Sequence, residues 1–372
     1  MILSIILPYS LTLVLNNQAQ QKTSMDHMLN LPFDVLRVGI FPLLKEKDMS
    51  CLDIAVSSQL LRSLLWEALR FSHFASWSKD ISLPKLEWLH TRGIKLFRID
   101  SLDTRRVRSD NTTSMLQLIQ MVSPFPQYLN FGSKGHRIGL MREPLSFDLL
   151  LLIPLCGRHL ISLHLSNFSN ITKRVLNSIL RDSPNLKSIN LSHNSMSPYV
   201  VTSLSQFPQL TALDLGDCCR GVTDDSLSAI AASCRQLTLL RLTQSPLITD
   251  KSMECVAAHC AYLTKLDLRG CGAISDISVC ALADRCPLLT CLGVGDVNCT
   301  GITDVGVNAI ANKLPFLSKL FLNLCMITDS AIQSLSEKCQ LLTILELRGC
   351  RKLTDTPMIE LTRHCPLTHL RI

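Results

Sequence analysis

A six-residue pattern, L-x-x-L-x-L, returns throughout the second half of the chain and restricts its fold more than any other feature. It begins at Leu160, Leu186, Leu210, Leu237, Leu263, Leu289, Leu317 and Leu342, in steps of 24 to 28 residues, and a shortened copy, PLTHLRI, follows. Eight full units and a fragment therefore cover roughly residues 156–372.

Each unit has two halves of different period. In LTKLDLRGC, Leu266 and Leu268 fall on one side and Lys265, Asp267 and Arg269 on the other, the alternation of a short strand with one buried face. In SDISVCALADRC, Val279, Leu282 and Ala283 recur at helical spacing. A hydroxyl residue followed by aspartate separates the halves at Thr223-Asp224, Thr249-Asp250, Ser275-Asp276, Thr303-Asp304, Thr328-Asp329 and Thr354-Asp355. A hydroxyl at the N-cap accepts a free backbone N–H, and an aspartate in the first turn suits the positive end of the helix dipole. These pairs therefore mark helix starts rather than catalytic groups. No single unit can bury its apolar face alone, so the units are predicted to stack, with parallel strands on one side and helices on the other.

The same period explains most of the 16 cysteines. Cys218, Cys271, Cys299, Cys325 and Cys350 follow the strand, and Cys234, Cys260, Cys286, Cys339 and Cys365 close the helix. A small, soft side chain suits a tight buried corner, so these thiols read as reduced packing residues of a cytoplasmic or nuclear protein. No C-x-x-C pair occurs, which argues against a zinc knuckle, and no metal or other cofactor is expected. The opening MILSIILPYSLTLVL is apolar, but no Lys or Arg precedes it, no clear cleavage site follows and Pro8 interrupts it. Neither a signal peptide nor a membrane span is expected there, and residues 1–28 read as a disordered or misassigned extension.

With its two cysteine columns the repeat resembles the cysteine-containing leucine-rich repeat of F-box/leucine-rich-repeat proteins. The resemblance implies an α/β leucine-rich-repeat solenoid, curved parallel strands inside and helices outside. Two coils depart from the pattern: INLSHNSMSP has Asn194 where its neighbours carry Cys, and the first coil has Thr172-Lys173 in place of Thr-Asp. Residues 29–70 resemble an F-box, an all-helical module opening on Leu31-Pro32 and continuing through Leu36, Ile40, Leu44 and Asp48. By that resemblance Leu31, Pro32, Leu36, Ile40 and Leu44 would contact a Skp-type adaptor and, through it, the cullin of an SCF-type ubiquitin ligase. Read as residues alone, the segment is also a helical cap on the first repeat. Residues 71–155 read as a linker and irregular capping region, with a degenerate strand around Ile94, Leu96 and Ile99 and a helix ending SFDLLLLIPLC.

Nothing in the chain reads as an active site. G-x-x-x-x-G-K-[ST], H-E-x-x-H and G-x-S-x-G are all missing, and Gly293-Val294-Gly295 lacks the rest of a dinucleotide loop. The net charge of +7 is modest, and the basic cluster Arg105, Arg106, Arg108 has no aromatic neighbours to stack bases, so nucleic acid is not an expected partner. What remains is a binding surface on the outward strand residues. Its candidates are Arg241, Lys265, Asp267, Arg269, Lys319, Phe321, Glu346 and Arg348. Asp214, Arg241 and Asp267 alternate in sign on neighbouring strands and suggest lateral ion pairs. Phe321, with Gly293 and Gly295 on the adjoining strand, reads as an exposed aromatic beside open space, the composition of a hot spot. The family resemblance implies a substrate-recognition subunit of an SCF-type E3 ubiquitin ligase that holds an unknown target protein on the concave face. The alternative is a solenoid scaffold or regulator without a ligase. The chain stops at Ile372 inside a strand without a polar capping unit, so either it continues further or a partner covers that edge.

Overall fold

The computed structural model describes residues 157–372 apart from 168–170, 219, 296–300 and the side chain of Leu180, and before them only positions 73–74, 87, 90–91, 95–96, 98–99, 117, 119, 121 and 128–130. The candidate adaptor contacts at Leu31, Pro32, Leu36, Ile40 and Leu44 lie outside the described residues, as do Cys299 and the helix expected to end at SFDLLLLIPLC. The chain divides into two compact units, residues 1–143 with 154–160 and residues 144–153 with 161–372. In the first unit, β1 (His73–Phe74) pairs in parallel with β2 (Lys95–Leu96), and β3 (Arg98–Ile99) pairs in parallel with β4 (Tyr128–Asn130). The degenerate strand expected around Leu96 and Ile99 is thus two short strands.

The second unit is a regular stack. Its strands are β5 (Ser162–His164), β6 (Ser188–Asn190), β7 (Ala212–Asp214), β8 (Leu239–Arg241), β9 (Lys265–Asp267), β10 (Cys291–Gly293), β11 (Lys319–Phe321), β12 (Ile344–Glu346) and β13 (His369–Arg371). Each pairs in parallel with the next, with equivalent residues in register. Between them run α1 (Lys173–Asp182), α2 (Pro198–Thr202), α3 (Asp224–Ser233), α4 (Asp250–His259), α5 (Asp276–Arg285), α6 (Asp304–Lys313), α7 (Asp329–Lys338) and α8 (Thr356–His364).

The core follows the alternation read from the sequence. In the coil that begins at Leu263, the side chains of Leu263, Leu266, Leu268, Ile274, Val279, Leu282 and Ala283 are all buried. Each large apolar side chain buried in this way contributes about 2 kcal/mol. A helix of ten residues is marginal alone, so packing between coils holds it in place. Each helix from α3 to α6 starts where expected, on a hydroxyl N-cap that accepts a backbone N–H: Thr223 from Ser226, Thr249 from Lys251, Ser275 from Ile277 and Thr303 from Val305. α8 differs. Its N-cap is Asp355 rather than Thr354, with proline in the first two positions, where no N–H is required.

The aspartate that follows each hydroxyl does more than face the dipole. Asp224 accepts the backbone N–H and the hydroxyl of Thr249 in the next coil, at 2.8 and 2.6 Å. The bond recurs from Ser275 to Asp250, Thr303 to Asp276, Thr328 to Asp304 and Thr354 to Asp329. Thr249, Ser275 and Thr303 therefore relay, donating back to the previous coil while capping their own helix. Burial works against the charged carboxylates of Asp224 and Asp250, and the hydrogen bonds outweigh it, holding both below the usual carboxylate range. At Asp276 the backbone N–H of Gly306 joins, and a Cβ at Gly306 would stand 2.5 Å from the carboxylate, so the bare backbone permits the approach.

The cysteines occupy the two corners expected of them. Cys218, Cys271 and Cys350 donate to the carbonyls of Leu191, Leu242 and Leu322, each one coil back, at 3.1, 3.1 and 3.0 Å. At the helix ends, burial pushes the Cys234 and Cys286 thiols to about 11, and burial with neighbouring thiols pushes Cys260 to about 12. A thiol held protonated stays an S–H donor and a poor nucleophile. A third ladder runs beside the strands, where the hydroxyls of Thr238, Thr264, Thr290, Ser318, Thr343 and Thr368 each donate to the backbone carbonyl one coil back.

Candidate protein-binding face

The last residue of each strand, the middle position of L-x-L, forms one in-register row: His164, Asn190, Asp214, Arg241, Asp267, Gly293, Phe321, Glu346 and Arg371. The parallel pairing sets these side chains side by side, so sequence charge becomes lateral contact. Asn190 donates to Asp214 at 3.3 Å, Arg241 reaches Asp214 at 2.8 Å and Asp267 at 3.7 Å, and Arg371 reaches Glu346 at 3.0 Å. The ion pairs expected around Arg241 are present. At half-exposed positions such pairs contribute about 0–1 kcal/mol each, so they order the surface more than they stabilise the fold.

Arg269, from the next outward row, is the most constrained side chain of this face. It grips Asp267 with two parallel bonds, Nε to Oδ1 at 2.9 Å and Nη2 to Oδ2 at 2.8 Å. Its guanidinium also lies over the Phe321 ring, 4.8 Å from the centroid, a cation–π contact that reaches from just beyond β9 to β11. To reach Phe321 it crosses Gly293 on β10, where an added Cβ would lie 2.8 Å from Asp267 Oδ1 and 3.2 Å from Arg269 Cγ. The open space expected beside Phe321 is therefore filled. Gly293 makes room for the arginine, and Gly295, at φ +98, makes room for the Asn323 carbonyl, 2.4 Å from where its Cβ would be. Phe321 itself is half-buried rather than exposed.

The remaining candidates divide by partner. Glu346 accepts from Asn323 and Arg371. Lys265, Lys319 and Arg348 are exposed, and no ion pair to them is present among the described residues. Lys265 and Lys319 flank Cys291 in register across β9, β10 and β11. Burial raises the Cys291 thiol, and nearby Asp267 adds to the effect, against the two lysines. Sequence reasoning missed the bridging role of Arg269. The two-residue step from Asp267 to Arg269 on one strand face, with glycine next door, was the signal. Among the described residues no group of three His, Cys, Asp or Glu side chains is placed to hold a metal ion.

The comparisons concern the fold. The Leucine Rich repeat family matches residues 259–283, the stretch from the last residue of α4 to the last turn of α5. No curated protein matches the chain. Among solved structures, the Rad7 and Elc1 complex of yeast contains a similar chain with a TM-score of 0.67 at 18% identity, covering 98% of this chain and 97% of that one. An internalin, inlF, from Listeria monocytogenes has a TM-score of 0.45 at 17% identity, covering 82% of each chain. Parallel three-residue strands alternating with helices, an apolar L-x-x-L-x-L core and the Rad7 likeness together identify the fold as a leucine-rich-repeat solenoid.

Proposed function

We propose that the chain recognises a protein partner on its strand face and acts as the substrate-recognition subunit of an SCF-type ubiquitin ligase. The observation that carries the reading is the ordered strand face, on which Arg269 is locked between Asp267 and Phe321 while Lys265, Lys319 and Arg348 stand exposed, without ion pairs among the described residues. A preordered arginine loses little side-chain freedom on binding, and free cations beside it favour an acidic target surface. The ligase connection rests on the F-box resemblance of residues 29–70, on which Leu31, Pro32, Leu36, Ile40 and Leu44 carry the adaptor contact. The likeness to a chain of the yeast Rad7 and Elc1 complex, itself a two-protein assembly, supports a solenoid that works joined to a second protein. The test is a pull-down of the full chain with purified Skp-type adaptor. Retention by the wild type and loss with Leu36→Asp and Ile40→Asp support the ligase reading. No retention by the wild type leaves a solenoid scaffold without a ligase.

A further inference from the structure

The residue just before each leading leucine follows a pattern that neither the core nor the strand face requires. From the coil that begins at Leu186 onward it is Asn185, Gln209, Gln236, Tyr262, Leu288, Phe316 and Leu341. The first three show that the fold accepts a polar residue there. The last four are apolar and exposed, at 53%, 41%, 52% and 52%. They sit in equivalent places on four consecutive coils, where the chain leaves a helix and enters a strand, and so form a continuous apolar stripe along one rim.

The stripe runs between two sets of cations. Three residues after Tyr262 and Phe316 come Lys265 and Lys319 of the strand face, exposed and without ion pairs among the described residues; three residues before Leu288 and Leu341 come the exposed Arg285 and Lys338 at the ends of α5 and α7, preceded by Asp284, which pairs with Lys313, and by Glu337. The helix dipole accounts for cations at helix ends, but not for exposed aromatic and leucine side chains between them. Neighbouring strands lie about 4.8 Å apart, close to the rise of about 5.4 Å per turn of an α-helix. A helix laid along the rim would thus present about one apolar residue to each coil and its flanking acids to the cations on both sides.

We propose that this rim, Tyr262–Leu288–Phe316–Leu341, is a second docking site, distinct from the strand face, for an acidic amphipathic helix of a partner protein. The match of helical turn to coil spacing and the single-residue width favour a helix over a lipid surface. The test uses the full chain and a fluorescent, stapled peptide helix with leucines on one face and glutamates on both flanks, alongside a scrambled peptide of the same composition. The variant is Tyr262→Gln with Leu288→Gln and Phe316→Gln, which installs the residue that Gln209 and Gln236 already place there, and circular dichroism checks its fold. Expected are saturable binding of the patterned peptide only, a loss of about tenfold or more in the rim variant, and an unchanged Kd in Phe321→Ala, which damages only the strand face. No binding, equal binding of the scrambled peptide or no loss in the rim variant overturns the proposal. So does rim-dependent binding of phosphatidylserine vesicles without peptide binding, or rim-dependent self-association in sedimentation velocity. A failed adaptor pull-down leaves the proposal untouched, because the two experiments probe different residues.

Discussion

The coil that begins at Leu186 and the coil that begins at Leu263 close the same corner with different atoms. In the first, Asn194 Nδ2 donates to the carbonyls of both Leu165 and Leu191, each at 2.7 Å. In the second, Cys271 makes a bond of 3.1 Å to Leu242. The helix side differs in the opposite sense. α1 starts at Lys173 and α2 at Pro198, so neither offers the carboxylate that Asp224, Asp250, Asp276, Asp304 and Asp329 extend to the following coil. Early coils are tied at the strand corner and later coils at the helix start. One fold therefore tolerates weak polar ties on either side, provided the other side supplies strong ones.

The largest effect should come from the amide corner. Asn194→Ala takes the amide donor from the Leu165 carbonyl, leaves the Leu191 carbonyl only the Cys218 thiol, and should cost about 2–4 kcal/mol in urea unfolding, whereas Cys271→Ala should cost about 1–2 kcal/mol. Equal losses would show that the corner is only a packing site. Next, Asp250→Ala removes the acceptor for the Ser275 N–H and hydroxyl and for the Ser278 hydroxyl, and should cost about 2 kcal/mol. Lys173→Ala, at the matching place in an early coil, should change stability by less than about 0.5 kcal/mol.

Acid should separate the two regions as well. Asp224, Asp250 and Asp329 have carboxyls held below their ordinary value: at Asp224 and Asp250 hydrogen bonds from the next coil overcome burial, and at Asp329 the Thr354 hydroxyl and N–H act directly. Their contribution is complete above the unfolded carboxylate pKa of about 3.9 and disappears as pH falls through the lower folded value. Hydrogen exchange corrected for intrinsic rates should show α3 to α8 losing protection below about pH 4 before α1 and α2, and uniform loss would break the comparison. The smallest effect is a gain. Ser245 occupies the corner held by Cys218 and Cys271, fully buried and with its hydroxyl unpartnered, so Ser245→Cys should raise stability by about 1 kcal/mol in the same urea assay.

The leucine period and the hydroxyl–aspartate pairs made the strands, the helices and most of their starts legible, because both are local patterns with one physical meaning. Contacts between coils were less legible. The period announces that Asp250 and Ser275 occupy related places, but not that a carboxylate of one coil reaches the hydroxyl of the next. The strand face divides in the same way: Arg241 between Asp214 and Asp267 followed from sign alone. Arg269 over Phe321 required knowing that Gly293 leaves a path for a long side chain across a whole strand. The exposed Tyr262, Leu288, Phe316 and Leu341 were in plain view, hidden by the buried leucine that follows each of them.

The aspartate-to-hydroxyl bonds also have a direction. Each coil from α3 to α7 offers its carboxylate forward, and at α4 to α7 the hydroxyl that receives it belongs to the N-cap of the helix. During synthesis, from N-terminus to C-terminus, a finished coil therefore presents the acceptor before its successor exists. The ties from Asp224 to Asp329 thus all point one way along the chain, each acceptor being synthesised before its donor.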